Sequence, residues 1–300
     1  MTGYDAQFLG TDPALHVPLP AADRELRRLD HPHFSILLDP VRRLAAATVC
    51  AVDGDRLRSL PRTGSWRLDP QAPPEEQAGN ELYRHNPLDR GHLVRRLDPM
   101  WGPEAREAGE ATFVYPNAAP QVDEFNQSKE LWNGLEDHVL AYAGARRHRL
   151  VVQTGCVFLA SDPVYRGVAI PRQFWKVVAW TSPDGGTRPD GGTPGVPPAL
   201  RSAAFVLDQT PQLTDAELST ATGRALAVGH VPPLGPYRAF QVPVADVETL
   251  TGLDLGRLAG ADVRGPAPRR PLEPRTASRR PPSAWTLLTT PAEIALVPVG

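Results

Sequence analysis

Apolar runs of strand length recur along the chain and predict a buried sheet. The stretches HFSILLD (33–39) and LAAATVCAV (44–52) are separated only by PVRR, which predicts a β-hairpin. Three further continuous apolar runs, LVVQTGCVFL (150–159), FWKVVAW (174–180) and SAAFVL (202–207), are typical of strands buried on both faces. Together these five runs predict a central sheet.

Helical periodicity is clearest between Glu124 and Ala143. Asp123 is a candidate N-cap there, and apolar side chains fall on one face at helical spacing, namely Leu131, Leu135, Val139 and Tyr142. A short helix is predicted in VADVETLTGLDL (244–255), and another around Arg24–Leu29 in an otherwise extended N-terminal region. The run ATFVY (111–115) predicts a strand.

Proline- and glycine-rich stretches predict the irregular parts of the chain. They include residues 53–87, the loop SPDGGTRPDGGTPGVPP (182–198) and residues 260–283, which are too rich in Pro and Arg to pack. We therefore predict a folded domain at 1–258, a Pro/Arg-rich linker at 259–284, and a C-terminal segment at 285–300 that is a candidate for docking on the core.

Composition and charge limit the kinds of partner and cellular location that we expect for this protein. The 300 residues carry a formal net charge of −2, so attraction of nucleic acid has to come from a local cluster of cations. No run is long and apolar enough to predict a membrane span. Cys50 and Cys156 are isolated in apolar runs, which favours buried thiols over a disulfide. The first residues lack a signal peptide, so we expect a cytoplasmic protein, with secretion by another route left open.

The stretch NPLDRGHLVRRLDPMWG (86–102) contains the candidate chemistry. It places His92 among three arginines, Arg90, Arg95 and Arg96, with Asp89 beside them. Guanidinium groups need water or an anion, so this segment predicts an anion site. A neutral imidazole there could take a proton from water attacking a phosphate. Asn117 and Asn126 follow downstream, and magnesium accepts such neutral oxygen ligands.

These residues resemble the DNA/RNA non-specific endonucleases. The resemblance rests on the motif DRGHL followed by N…PQ…FN…W…LE, and on the segments GYDAQFLG…VPLP, VVQTGCVF, VAIPRQFWKVV and ETLTGLDL. These segments occur in the same order as in the family and extend from residue 3 to about 255. The resemblance implies an α+β, ββα-metal endonuclease fold, in which helices and long loops flank a central antiparallel sheet.

The resemblance also implies roles for individual residues. His92 would be the general base, and Asn126 would hold magnesium (Mg2+), which manganese (Mn2+) could replace. Arg90 would contact the phosphate and stabilise the transition state. Asp89 would anchor the loop, and Asn117 would orient His92 or the phosphate.

Two positions depart from the common family pattern. Glu136 matches the acid that holds metal-bound water, but its spacing from Asn126 leaves Glu130 as the alternative. The family's upstream R-x-W arginine is absent because Gly64 occupies its place, so Arg62 or Arg67 would substitute.

The expected function is therefore a magnesium-dependent endonuclease that contacts the backbone of DNA and RNA through Arg95, Arg96 and Asp89. The alternative is a catalytically degenerate nuclease fold that only binds nucleic acid or protein. A sequence-specific nuclease is a third, narrower option, for which the chain offers no zinc knuckle or recognition helix. Because an uncontrolled nuclease damages its host, we expect an inhibitor or regulatory partner. The oligomeric state stays open, a homodimer included.

Overall fold

The computed structural model describes residues 3–122, 149–182, 198–211, 213–235, 237–265, 284–290 and 293–294. The predicted helix at 124–143, most of the loop at 182–198 and most of the predicted linker lie outside the described residues. Asn126, Glu130 and Glu136 lie outside them as well.

The strands of the described segments are, in chain order, β1 (Ala21–Ala22), β2 (Arg27–His31), β3 (Phe34–Asp39), β4 (Leu44–Asp53), β5 (Leu88–His92), β6 (Ala118–Val122), β7 (Arg149–Val157), β8 (Val164–Tyr165), β9 (Val168–Ala169), β10 (Gln173–Ser182), β11 (Ala199–Asp208), β12 (Arg238–Val242), β13 (Leu253–Asp254) and β14 (Thr286–Leu288). The α-helices are α1 (Asn80–Tyr83), α2 (Ala105–Ala111), α3 (Asp215–Ala227) and α4 (Val244–Thr251), and short 3-10 helices form at Pro13–Leu15, Pro74–Glu76, Tyr115–Asn117 and Gly256–Ala261.

An eight-stranded sheet in the order β14-β12-β11-β10-β7-β4-β3-β2 forms the centre of the molecule. All of its neighbouring strands pair antiparallel. The predicted hairpin is confirmed as β3 and β4, and the three central apolar runs are confirmed as β7, β10 and β11. Their continuous apolar sequences follow from burial on both faces of the sheet.

The two faces of the sheet pack against different parts of the chain. One face, with Phe34, Cys50 and Phe174, packs against the hairpin formed by β5 and β6. The opposite face packs against the N-terminal region and α4. The site described below therefore lies on the first face, supported by the sheet.

Two sequence-based predictions are wrong. The short helix expected around Arg24–Leu29 is replaced by β2, because Leu29 pairs with Ile36 and is fully buried in the core. The strand expected at 111–115 is absent: α2 ends at Ala111, and a 3-10 turn begins at Tyr115. The second strand of the hairpin is instead β6, which begins after Asn117.

The stretch 53–87, predicted as irregular, contains α1 and the 3-10 helix at Pro74–Glu76, whereas two further predictions agree with the structure. A helix forms at Val244–Thr251, and Cys50 and Cys156 are buried free thiols. At the C-terminal end, β14 pairs with β12 at the edge of the sheet. The division into domain, linker and terminal segment stays a prediction. No helix in the described segments is long and apolar enough to cross a membrane.

Candidate active site

His92 ends β5 and lies between two aromatic rings. The centroid of its ring is 4.6 Å from that of Trp66, tilted by 44°, and 5.0 Å from that of Phe113, at 89°. The imidazole is half-buried, and its Nε2 atom is buried without a hydrogen-bond partner among the described residues. The ring therefore has one nitrogen still available for a hydrogen bond or a proton.

The environment keeps this imidazole neutral. Burial lowers the pKa of His92 to about 4, with further contributions from the nearby charges of Arg62 and Arg96. The arginines lower this pKa in the same direction as burial, but burial contributes more than they do. Above pH 4 the ring is thus a proton acceptor.

Arg90 lies two residues before His92 in β5, and its guanidinium is fixed from two sides. Its Nη2 donates to Oδ1 of Asn80 over 2.6 Å. Its central carbon lies 5.2 Å from the ring centroid of Tyr83 and 6.0 Å from that of Tyr115. Its Nε atom is buried without a hydrogen-bond partner among the described residues.

Asn117 is fully buried and holds the backbone that follows His92. Its Oδ1 accepts from the Val94 amide over 2.8 Å, while its Nδ2 donates to the carbonyls of Val94 and Thr112. Its own carbonyl accepts from the Leu93 amide. From a 3-10 turn just before β6, Asn117 therefore fixes the backbone that directly follows His92.

The other cations approach the site from two segments. The Nη1 atom of Arg96 donates to the Leu60 carbonyl over 3.2 Å, and the Arg62 guanidinium lies 5.1 Å from the centroid of Phe113. Burial and the charges of Arg62 and Arg95 lower the pKa of Arg96. Arg62, Arg95 and Arg96 therefore lie close enough together for their like charges to repel one another.

Of the two candidates for the missing family arginine, Arg62 faces the site. It shares Phe113 with His92 and lowers the pKa of that histidine. Arg67 instead donates to the Glu110 carbonyl over 3.2 Å. Asp89 lies in β5 opposite Gln121 of β6 and is partly exposed.

Sequence reasoning missed Trp66 as a wall of the site. The sequence does contain a signal for it, because Trp66 occupies the tryptophan position of the family's R-x-W pattern. Gly64 allows the close approach of this segment, because its φ is +119° and a Cβ there would lie 2.7 Å from the Phe113 ring. The segment 62–66 thereby covers one side of His92.

The residues expected to hold the metal, Asn126 and Glu136 or Glu130, lie outside the described residues. Within the described segments, no three His, Cys, Asp or Glu side chains lie close enough together to hold a metal ion. Two buried nitrogen atoms, Nε2 of His92 and Nε of Arg90, have no hydrogen-bond partner among the described residues. The first can accept a proton from water, and the second can donate to a phosphate oxygen.

Comparison with known proteins agrees with this geometry. Residues 14–259 match the model of the family described as DNA/RNA non-specific endonuclease. A Sinorhizobium fredii protein described as uncharacterized protein y4fB is 36% identical over an alignment of 279 residues, and the match covers 84% of this chain and 38% of that protein. Human mitochondrial endonuclease G is 32% identical over an alignment of 138 residues, and the match covers 42% of this chain and 43% of that enzyme. The chain thus spans less than half of each of these relatives.

A solved structure shares the fold. It is the crystal structure of the EndoG/EndoGI complex, and it matches with a TM-score of 0.53 at 20% identity. The match covers 76% of this chain and 84% of that chain. The predicted fold class, α+β with a central antiparallel sheet of the ββα-metal nuclease type, is confirmed.

Proposed function

Because the chain belongs to the DNA/RNA non-specific endonuclease family, we propose that it is a metal-dependent endonuclease. It hydrolyses phosphodiester bonds of DNA and RNA by contacting the backbone and not the bases. The observation that carries the proposal is His92, a neutral imidazole on the same strand as Arg90, whose buried Nε2 has no hydrogen-bond partner among the described residues.

In this mechanism His92 is the general base. Its Nε2 accepts a proton from the water that attacks phosphorus, as the neutral ring permits at physiological pH. Trp66 and Phe113 hold the ring in place and exclude other water from it. Asn117 fixes the loop that positions it.

Arg90 binds the scissile phosphate and stabilises the negative charge that develops on its oxygens. Its Nε can donate to such an oxygen, because it has no hydrogen-bond partner among the described residues, while Nη2 donates to Asn80. Arg95 and Arg96 contact the neighbouring backbone, and Asp89 anchors the loop. None of these groups distinguishes one base from another, which supports cleavage without sequence preference.

Asn126 would hold Mg2+, with Glu136 or Glu130 supporting its bound water, and Mn2+ would replace it. When bound, the metal would neutralise charge on the phosphate. An inhibitory or regulatory partner belongs to the proposal. The EndoG of the matching structure is in complex with EndoGI.

The proposal is tested by incubating plasmid, single-stranded DNA and RNA with the protein and magnesium or manganese, with EDTA as the negative control. We expect cleavage of all three substrates only with metal. We expect His92→Ala to abolish cleavage but to retain binding. The matched control is His230→Ala, which removes an exposed histidine after α3 and should leave the rate unchanged.

Two outcomes would contradict the proposal. Binding of nucleic acid by the wild-type protein without cleavage, under either metal, would establish the degenerate, binding-only alternative. Full cleavage by His92→Ala without added imidazole would remove His92 from the mechanism.

A further inference from the structure

We propose that Asn80 is a positioning residue for Arg90, holding its guanidinium so that Nε faces the scissile phosphate. This inference rests on the proposed function and names a residue that acts through Arg90 without itself contacting substrate. The hydrogen bond that carries it joins Nη2 of Arg90 to Oδ1 of Asn80 over 2.6 Å.

The bond fixes a side chain that is already restricted by aromatic rings. Tyr83 and Tyr115 stack on each other with centroids 6.1 Å apart and planes 16° from parallel, and the guanidinium lies near both rings. Ring contacts of this kind hold the guanidinium near the tyrosines but leave it free to rotate. The Asn80 oxygen fixes that rotation, because it receives one of the two Nη groups.

The helix that carries Asn80 is fastened at its other end. Helix α1 is only four residues long, too short to be stable by itself. Arg166, in the turn between β8 and β9, donates from Nη1 to the carbonyls of Glu81 and Arg84 over 2.9 and 2.7 Å. Asn86 donates to the Leu82 carbonyl over 2.7 Å. These bonds satisfy carbonyls at the helix end and keep Asn80 in place.

The chemistry of the acceptor matters as well as its position. The amide of Asn80 is neutral, so it orients Arg90 without cancelling the positive charge that a phosphate needs. A carboxylate at the same place would pair with the guanidinium and compete with the phosphate. While one N–H of Nη2 donates to Asn80, the Nε N–H has no hydrogen-bond partner among the described residues and can donate to the anion.

The test is a double-mutant cycle in the full chain, with Asn80→Ala, Arg90→Ala and the double variant, assayed on a fluorescence-quenched oligonucleotide. We expect Asn80→Ala to lower kcat by about ten- to a hundredfold, as for a lost hydrogen bond to a charged group, with a smaller change in KM. In the Arg90→Ala background the same change should lower kcat less than about twofold, because Asn80 acts only through Arg90.

The matched control is Gln71→Ala, which removes another side-chain amide, one that donates to the Asp30 carbonyl over 3.1 Å. It should leave kcat unchanged. Equal losses from Asn80→Ala in both backgrounds, or a wild-type kcat in Asn80→Ala, would overturn the inference.

A second readout is independent of activity. In the ¹⁵N spectrum of the wild-type protein, hindered rotation should give Arg90 separate Nη signals, and Asn80→Ala should merge them. Merged signals already in the wild type would overturn the inference. Absence of cleavage by the wild-type protein would overturn the proposed function instead, so the two failures are distinguishable.

Discussion

Trp66 and Phe113 enclose His92, and this enclosure sets the protonation state of the candidate base. Burial disfavours the charged imidazolium and is the largest cause of the lowered pKa. The charge of Arg62 acts in the same direction. At the scale of single residues, therefore, the basicity of His92 depends on side chains from two distant segments.

Replacing Arg62 by glutamine should raise the pKa of His92 from about 4, because one of the charges that disfavours the imidazolium is removed. The pKa should stay below its ordinary value of about 6.5, because burial remains. NMR titration of the His92 ring, assigned with His92→Ala, measures the change. Arg67→Gln is the control, since Arg67 donates to the Glu110 carbonyl. An unchanged or lower pKa in Arg62→Gln would contradict the electrostatic account.

The same pKa fixes the pH dependence of cleavage. A general base works only when it is deprotonated, so kcat/KM should rise with pH through the pKa of His92. In the wild type this acid limb should lie near pH 4, and in Arg62→Gln it should shift to higher pH. Rates measured between pH 3.5 and pH 8 in buffers of constant ionic strength test this. A wild-type limb centred above pH 6.5 would contradict it.

Individual site residues were predictable from the sequence only where neighbouring residues revealed them. The DRGHL stretch identified His92 and Arg90, because this five-residue motif places a candidate base two residues after a candidate phosphate ligand. Asn80 and Trp66 were not identified, because tertiary structure brings each of them to the site and the residues around them in the sequence form no complete motif. Asn117 was identified, but its bonds to the Val94 backbone required the structure.

At the scale of elements, local sequence and tertiary pairing competed. The charged stretch 24–29 favours a helix, yet pairing of Leu29 with Ile36 extends the sheet and buries Leu29 completely. Conversely, the aromatic and β-branched residues at 113–115 favour a strand, but they pack as a buried turn. Helix α2 was not predicted, although its alanine- and glutamate-rich sequence has high helix propensity.

Gly64→Ala tests the segment that covers His92. A Cβ at this position would meet the Phe113 ring at 2.7 Å, and the φ of +119° disfavours any L side chain. We expect the free energy of unfolding to fall by about 2 kcal/mol, with reduced cleavage as Trp66 is displaced. Chemical denaturation and the plasmid assay measure the two effects.

The control for that variant is Gly223→Ala in the exposed middle of α3. An added Cβ there meets nothing within 4 Å, so it should increase the free energy of unfolding by about 0.5 to 1 kcal/mol. Wild-type stability and activity in Gly64→Ala would mean that the segment 62–66 adapts and does not fix Trp66.

At the scale of the whole molecule, one sheet has the candidate active site on one face and a packed core on the other. Its first face supports the β5–β6 hairpin and the arginines, while the other is covered by the N-terminal region and α4. Because the net charge is only −2, the proposed binding of nucleic acid would depend on the local cluster and not on the overall field. The apolar runs made the sheet predictable from sequence, whereas the position of the cations over it depends on loops.

The salt dependence of binding tests this local attraction. Each arginine that neutralises a phosphate releases condensed counterions, so the logarithm of the affinity should fall linearly with the logarithm of the salt concentration. Binding of a labelled duplex and a single strand by His92→Ala, measured in EDTA between about 50 and 200 mM salt, gives the slope without cleavage. Arg95→Ala should reduce the magnitude of that slope by about 1, equally for substrates of different sequence.

The control for the slope is Arg149→Ala. Arg149 is exposed at the start of β7 and lies against Phe8, on the face of the sheet opposite the hairpin, with 5.5 Å between its guanidinium and the ring centroid. Removing it changes the net charge by the same amount as Arg95→Ala, but it should leave the slope unchanged if attraction is local. Equal effects of the two variants would mean that net charge, and not the arginine cluster, governs binding. A loss in Arg95→Ala that varies with base sequence would instead mean that Arg95 contacts bases.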